Sequence, residues 1–196
     1  MHDRVDWKTV DFGAADHHAQ TDLFRQARES LANDPFRPAY HFSPPGVSLH
    51  DAAGLCWWKG NYHLFYLFAT PMFGGARGHA VSKDLVHWQD LALASDTIRG
   101  GTGQVWADED RVIMGYATHK HKAASLATAS DPLLQEWVPH PQNPVYPSAL
   151  PPNGDLKSLQ SGDNYVWRED DTYYMTMRLC KPRPEFCQDS IEMSPL

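Results

Sequence analysis

Two aspartates, Asp51 and Asp163, each stand just before a stretch whose pattern predicts a strand, a tight turn and a second strand. A carboxylate in such a place can act as a nucleophile or stabilise positive charge that develops in a transition state. It can equally accept hydrogen bonds from the amides of a turn, and residues 50–54 and 161–164 both read as turn-like phrases. The residue types by themselves leave both interpretations open.

The histidines and cysteines do not form a metal-binding pattern. His119 and His121 would share one face of a strand, but no nearby carboxylate or cysteine completes a tetrahedral set, and the pair at residues 17–18 is expected to be solvated. Cys56, Cys180 and Cys187 have spacings that match neither a zinc site nor a disulfide framework, so we interpret them as free thiols. We therefore expect no metal and no cofactor.

Three hairpin-like stretches repeat along the chain. They are rich in aromatic and β-branched residues, and they occupy residues 55–66, 105–116 and 165–176. Their tryptophans at positions 58, 106 and 167 are 48 and 61 positions apart, roughly the length of a four-stranded propeller blade. The spacing predicts three successive blades, of which the third is unfinished.

A second shared phrase follows the first two hairpins. It contains Asp84 and then Trp88 in one copy, and Asp131 and then Trp137 in the other. We expect both aspartates to accept hydrogen bonds from turn amides once per blade. The tryptophans are expected to pack between blades, because large aromatic side chains dominate such cores.

The elements around these repeats follow from hydrophobic periodicity. Apolar residues recur at three- and four-residue steps between residues 16 and 33, which predicts one N-terminal helix. The rest of the chain predicts short strands, in keeping with 12% aromatic residues, 15 prolines and 13 glycines. The expected organisation is an N-terminal extension with the helix (1–34), a β-domain (35–177) and an irregular tail (178–196) that would reflect a truncated or frame-shifted reading frame.

Composition excludes several classes of function. The chain has 196 residues and a formal net charge of −7 without any cluster of Lys or Arg, so it offers no electrostatic footprint for nucleic acid. It has no apolar run near the ~18 residues that a membrane span needs. The first residues lack a basic start followed by an apolar stretch, so we predict no secretory signal and a cytoplasmic location.

Six phrases of the chain resemble, in order and spacing, the N-terminal propeller of glycoside hydrolase family 32, which includes invertases, inulinases and levanases. The phrases are Arg-Pro-Ala-Tyr-His-Phe (37–42), His-Asp-Ala-Ala-Gly-Leu (50–55), Asn-Tyr-His-Leu-Phe-Tyr (61–66), Gly-His-Ala-Val-Ser-Lys-Asp-Leu-Val-His-Trp (78–88), Gly-Thr-Gly-Gln-Val (101–105) and Gly-Asp-Asn-Tyr-Val-Trp (162–167). The second and last correspond to Trp-Met-Asn-Asp-Pro-Asn-Gly-Leu and Arg-Asp-Pro-x-Val-Trp in the family. The resemblance spans residues 35–177 and implies an all-β fragment of about three blades from a five-bladed β-propeller.

The resemblance also implies a function of the β-fructosidase type, in which terminal fructosyl or related bonds are hydrolysed with retention. Asp51 takes the place of the family's nucleophile and Asp163 that of the aspartate that holds sugar hydroxyls and stabilises the transition state. His50, Trp58 and Thr102 are the expected substrate contacts, with Trp57 as the alternative to Trp58. The implied substrate is a small carbohydrate such as sucrose or a fructan.

The proton donor is not assigned. In the family it is a glutamate one blade after the second aspartate, in a Glu-Cys-Pro-Asp-like phrase. Glu185 stands in a faint echo of that phrase, but it follows Asp163 by only 22 residues, too soon for a complete blade. Since general acid catalysis contributes about 10²–10⁴-fold, we expect the chain as written to be inactive.

Departures from the family pattern favour a second interpretation. His50 replaces an asparagine, Ala52 and Ala53 replace Pro-Asn, Leu67 replaces a glutamine, and Gly162 replaces an arginine. The lost arginine removes a planar, bidentate donor for sugar hydroxyls. The alternative function is therefore a non-catalytic, carbohydrate-binding relative or pseudoenzyme.

Overall fold

The computed structural model describes residues 6–7, 16–70, 74–94, 103–117, 124–145, 160–180 and 190–195. The chain divides into two compact units, Met1–Thr97 and Ile98–Leu196. Within the described residues, no helix combines the length and the apolar character that crossing a membrane requires.

The predicted N-terminal helix is present as α1 (His17–Ser30). Asp16 caps it, because its side chain accepts a hydrogen bond of 2.8 Å from the Ala19 backbone N–H, one of the amides that a helix start leaves unsatisfied. One face of the helix is buried and carries Gln20, Phe24 and Ala27. The helix therefore needs a partner surface, which the first sheet supplies.

The first sheet is a four-stranded antiparallel meander in the order β1-β2-β3-β4. Its strands are β1 (Ser48–Trp58), β2 (Asn61–Thr70), β3 (Gly74–Ser82) and β4 (Trp88–Leu91). The β1–β2 turn contains Lys59 and Gly60, whose φ angles of 42° and 85° fit the two-residue hairpin turn that matches strand twist. Local turn chemistry thus sets this hairpin.

Helix α1 shares a core with the first sheet. Phe24 lies in one buried cluster with Tyr66 and Phe68 of β2. Arg28 pairs with both carboxylate oxygens of Asp90 in β4, with Nη2 2.8 Å from Oδ1. Burial raises the pKa of the Asp90 carboxyl, and the Arg28 guanidinium opposes that rise. The helix and the sheet are thus one packed body, whereas the division predicted from the sequence separates them.

The second unit contains two antiparallel sheets. One has the order β5-β6-β7-β8, with β5 (Val105–Ala107), β6 (Val112–Ala117), β7 (Ala124–Ala129) and β8 (Val138–Pro139). The other has the order β11-β10-β9, with β9 (Gln160–Glu169), β10 (Thr172–Cys180) and β11 (Ser190–Pro195). Their shared core contains Ile113, Ala124, Leu126, Val166, Met175 and Met177. Tyr173, Met175 and Met177, which are alternate residues of β10, pack in this core, as a strand with one buried face requires.

The end of the chain differs from the expected irregular tail. Strand β10 continues to Cys180, and Ser190–Pro195 form β11, which pairs antiparallel with β10 from Ser190 opposite Leu179 to Pro195 opposite Tyr174. A six-residue strand carries little periodic signal of its own. Its pairing depends on the backbone groups that β10 presents along its open side, which the sequence pattern does not display.

The two aspartates of the repeated phrase have the predicted turn role, which is confirmed. Asp84 Oδ1 accepts hydrogen bonds from the backbone N–H groups of Val86 and His87 at 2.9 and 2.8 Å. The His87 side chain and these amides hold the pKa of the Asp84 carboxyl well below its ordinary value. Asp131 accepts in the same way from three backbone N–H groups at 3.0–3.1 Å, those of Leu133, Gln135 and Glu136.

The tryptophans of the repeated phrase make the same hydrogen bond to the backbone in both units. The Trp88 indole N–H donates to the Leu85 carbonyl at 3.1 Å, and the Trp137 indole N–H donates to the Leu134 carbonyl at 2.8 Å. Both leucines have positive φ angles, 65° and 51°, which non-glycine residues rarely adopt. The two copies therefore share strained backbone geometry as well as residue types, which is the behaviour expected of one repeated structural unit.

Candidate active-site residues

Asp51 lies in an irregularity of β1. This strand advances from residue 49 to residue 52 while its partner β2 moves only from residue 68 to residue 66. The extra residue makes a β-bulge that holds His50 and Asp51, and both side chains are exposed. Bulges re-aim side chains and occur often beside active sites. The first expected site residues thus sit on a strand that is locally bent at their position.

Asp163 lies in the corresponding irregularity of β9. This strand advances from residue 162 to residue 165 while β10 moves only from residue 178 to residue 176. Asp163 has a φ angle of 53°, in the left-handed region that costs a non-glycine residue about 1–2 kcal/mol. Its side chain is exposed. Strain of this kind persists only where surrounding contacts hold it.

The two aspartates occupy matching places in their own hairpins. Each lies in a bulge of the first strand, and each precedes the first positive-φ residue of the hairpin turn by a similar distance, eight residues from Asp51 to Lys59 and seven from Asp163 to Asp170. In the sequence the two phrases share little beyond the aspartate. The register of the strands reveals their equivalence.

The other expected substrate contacts do not all lie near Asp51. His50 shares the bulge with Asp51, as described above. Trp58 lies at the opposite end of β1, roughly 20 Å along an extended strand from Asp51. It is 6% exposed, and the Lys59 ammonium lies 5.1 Å from the centre of its ring. The structure therefore does not bring Trp58 to Asp51, and Thr102 lies outside the described residues.

The exposed tryptophan of the first hairpin is Trp57. It is 53% exposed, and its ring meets Tyr62 on the paired strand edge-on, with centroids 4.6 Å apart. Neighbouring strand residues point to opposite faces, so Trp57 and Trp58 cannot both be buried by one layer.

Two histidines of the family-like phrases are structural. His63 Nδ1 and His79 Nε2 are 3.0 Å apart in the interior of the first sheet, and both residues are fully buried. The His79 ring stacks on Phe65 with centroids 4.2 Å apart. Burial, with the neighbouring His63, lowers the pKa of His79 well below its ordinary value. His79 is therefore held in its neutral form, and the pair packs inside the first unit and not at its surface.

The structure adds one residue that the sequence did not single out, Asn164. It follows Asp163 directly, is fully buried and donates from Nδ2 to the Tyr116 carbonyl at 3.1 Å. The available signal was that Asn164 occupies the position of the family's proline. The unassigned proton donor gains no candidate, because Glu185 lies outside the described residues.

Comparison with known proteins agrees with these observations. The family model described as "Glycosyl hydrolases family 32 N-terminal domain" matches residues 41–181, which is more than half of the chain. The chain belongs to glycosyl hydrolase family 32. This family 32 chain is 38% identical over 136 residues to Beta-fructofuranosidase 1 of Zea mays, with 60% of the chain and 20% of the relative covered. It is 36% identical over 142 residues to Sucrose:sucrose 1-fructosyltransferase of Festuca arundinacea, with 63% and 21% covered.

Solved structures show the same fold. A sucrose-6-phosphate hydrolase from Lactobacillus gasseri superposes with a TM-score of 0.63 at 22% identity, over 94% of this chain and 39% of that one. A mutant β-fructofuranosidase from Bombyx mori in complex with sucrose gives 0.61 at 22% identity, over 88% and 39%. The predicted fold, an all-β fragment of about three blades of a five-bladed β-propeller with one N-terminal helix, is confirmed. The chain spans about a fifth of the length of the curated relatives it matches.

Proposed function

We propose that the family 32 chain contributes Asp51 and Asp163 to a β-fructosidase-type site that hydrolyses terminal fructosyl bonds with retention. The observation that supports this most directly is the matching place of the two aspartates, each exposed in a bulge of the first strand of its hairpin. The substrate class is a small carbohydrate such as sucrose or a fructan. The relatives that bear fructofuranosidase and fructosyltransferase names support that class.

In the proposed reaction, an Asp51 oxygen attacks the anomeric carbon of the fructosyl unit. The bond from that carbon to the leaving-group oxygen breaks, and a general acid delivers a proton to that oxygen. Water then attacks the anomeric carbon of the covalent fructosyl-aspartate ester and gives a proton to the deprotonated general acid, which returns the Asp51 carboxylate and releases fructose with its original anomeric configuration. Asp163 accepts hydrogen bonds from sugar hydroxyls and stabilises the positive charge that develops during each displacement.

A non-catalytic carbohydrate-binding role is the second candidate. Gly162 immediately before Asp163, where the family has arginine, favours it, because a charged donor for sugar hydroxyls is missing there. In this role Asp163 would still accept hydrogen bonds from a sugar. Asp51 would not form a covalent bond.

Sucrose binding and sucrose hydrolysis by the purified 196-residue chain distinguish these roles. Calorimetry measures sucrose binding, and proton NMR measures sucrose hydrolysis. When methanol competes with water as the acceptor, proton NMR also gives the anomeric configuration of the methyl fructoside that forms. The variants are Asp51→Asn and Asp163→Asn. Asp170→Asn is the matched control, because Asp170 is an exposed aspartate of the β9–β10 turn with the same φ angle of 53° as Asp163.

The proposal expects Asp163→Asn to weaken sucrose binding about tenfold, since a charged acceptor becomes a neutral amide. Asp51→Asn should leave binding nearly unchanged and remove any hydrolysis by roughly 10⁴-fold or more. Binding that depends on Asp163, with no Asp51-dependent cleavage even of an activated fructosyl substrate whose leaving group needs no proton, selects the second candidate. If neither substitution changes binding or hydrolysis relative to Asp170→Asn, both roles are wrong.

A further inference from the structure

The left-handed backbone of Asp163 requires contacts that hold it, because few residues other than glycine adopt this conformation readily. The residue that follows, Asn164, is fully buried. An exposed residue and a buried one are thus adjacent at the point where strand β9 slips register. The contacts of Asn164 can therefore help to fix the backbone of Asp163.

The backbone of Asn164 is hydrogen-bonded to the segment that leads into β5. Its carbonyl accepts a hydrogen bond of 2.9 Å from the Gln104 N–H, and a parallel bridge pairs it with Gly103. The Gln104 carbonyl in turn accepts from the Gly115 N–H of β6 at 3.0 Å. Asn164 is thus connected to β6 through one intervening residue.

The side chain of Asn164 reaches β6 directly. Its Nδ2 donates to the Tyr116 carbonyl at 3.1 Å. Gly115, the preceding residue of β6, leaves the room for it, because a Cβ at Gly115 would lie only 3.1 Å from the Asn164 Cβ. The asparagine is therefore held from both sides, by a hydrogen bond and by close packing against a residue that has no side chain.

From this geometry we propose that Asn164 is a positioning residue for Asp163. Its hydrogen bond to Tyr116 and its packing against Gly115 hold Asp163 in the left-handed conformation and so fix the direction in which the Asp163 side chain points. The inference rests on the proposed sugar-binding role of Asp163. A proline at position 164 would bias residue 163 toward extended backbone, so the asparagine both permits this conformation and maintains it.

The test compares Asn164→Ala with Asn143→Ala. Asn143 is a matched control, because its Nδ2 also donates to a backbone carbonyl of the β5–β8 sheet, that of Leu126 at 2.7 Å. Both variants should lower the melting temperature, by about 2–8 °C. Of these two variants, only Asn164→Ala should move the three-bond HN–Hα coupling of Asp163 out of the left-handed range. A third variant, Gly115→Ala, should move this coupling in the same direction, although it removes no polar group.

A double-mutant cycle tests whether the contacts of Asn164 affect sugar binding through Asp163. Asn164→Ala should weaken sucrose binding about tenfold in the unsubstituted chain and have no further effect in the Asp163→Asn background. Asn143→Ala should leave binding unchanged in both backgrounds.

The outcomes separate the inference from the proposed function. If Asp163→Asn does not affect sucrose binding, the proposed role of Asp163 fails and the inference falls with it. If Asp163→Asn weakens binding but Asn164→Ala weakens it equally in both backgrounds, or leaves the Asp163 coupling unchanged, only the positioning role is overturned.

Discussion

Acidification should destabilise the first unit through the buried His63–His79 pair. Both side chains are fully buried, and burial keeps the pKa of His79 well below that of a free histidine. The unfolded chain therefore binds a proton at His79 below a pH of about 6.5, whereas the folded chain does not. Stability that is fully present above that pH is lost as the pH falls.

The magnitude follows from linkage. A histidine titrates with a pKa of about 6.5 in the unfolded chain. If it stays neutral in the folded chain, it lowers the free energy of unfolding by at most about 2 kcal/mol at pH 5, because each pH unit corresponds to about 1.4 kcal/mol. For a chain of this length that loss corresponds to a fall of roughly 4–8 °C in melting temperature. At pH 7 the cost is close to zero.

The assay is urea unfolding between pH 7 and pH 5, performed for the unsubstituted chain and for His79→Gln. The glutamine variant is less stable at every pH, but it lacks this titration, so the difference between the two free energies of unfolding should shrink by up to about 2 kcal/mol at pH 5. His17→Gln, which removes an exposed imidazole, is the control and should leave that pH dependence unchanged. A difference between the unsubstituted chain and His79→Gln that stays constant with pH would refute the reasoning.

Three further predictions concern stability. Arg28→Met should cost about 3–5 kcal/mol in urea unfolding because the buried Asp90 carboxylate loses its counter-charge; adding Asp90→Leu should recover most of that loss, and no recovery would contradict the role of the pair. Asp131→Ala should lower the free energy of unfolding by about 1–3 kcal/mol, because three backbone N–H groups lose their acceptor. Asp84→Ala should lower it less, because water reaches its more exposed turn, and equal shifts of the melting temperature in calorimetry would argue against this ranking. Asp170→Gly should stabilise by about 0.5–1 kcal/mol because glycine adopts the φ of 53° without steric cost, and a lower melting temperature would show that the aspartate side chain matters more than its backbone.

Features that a few neighbouring residues encode were predictable from the sequence. The period of α1, the hairpin turns and the turn aspartates Asp84 and Asp131 all depend on contacts within about five positions. Such contacts recur whenever the same short phrase recurs. The ordered phrases also identified the family and, through it, Asp51 and Asp163 as site candidates.

Features that depend on register between strands were not predictable. The bulges at Asp51 and Asp163 exist only because one strand advances three residues while its partner advances two, and no single strand records that offset. The same reason explains why the sequence does not distinguish Trp57 from Trp58 as a sugar contact. Alternation shows that Trp57 and Trp58 face opposite sides, but only the packed sheet decides that Trp58 is the buried one.

Contacts across long sequence separations were also decided by the tertiary structure alone. Arg28 and Asp90 are 62 residues apart and Asn164 and Tyr116 are 48 apart, so neither pair leaves a periodic trace. Each is specified by the packing of a helix or strand against a neighbouring element, where burial makes an unpaired polar group costly. Apart from strand β11, the sequence by itself determined which elements form and to which family they belong, while the packing of those elements determined which polar side chains had to meet.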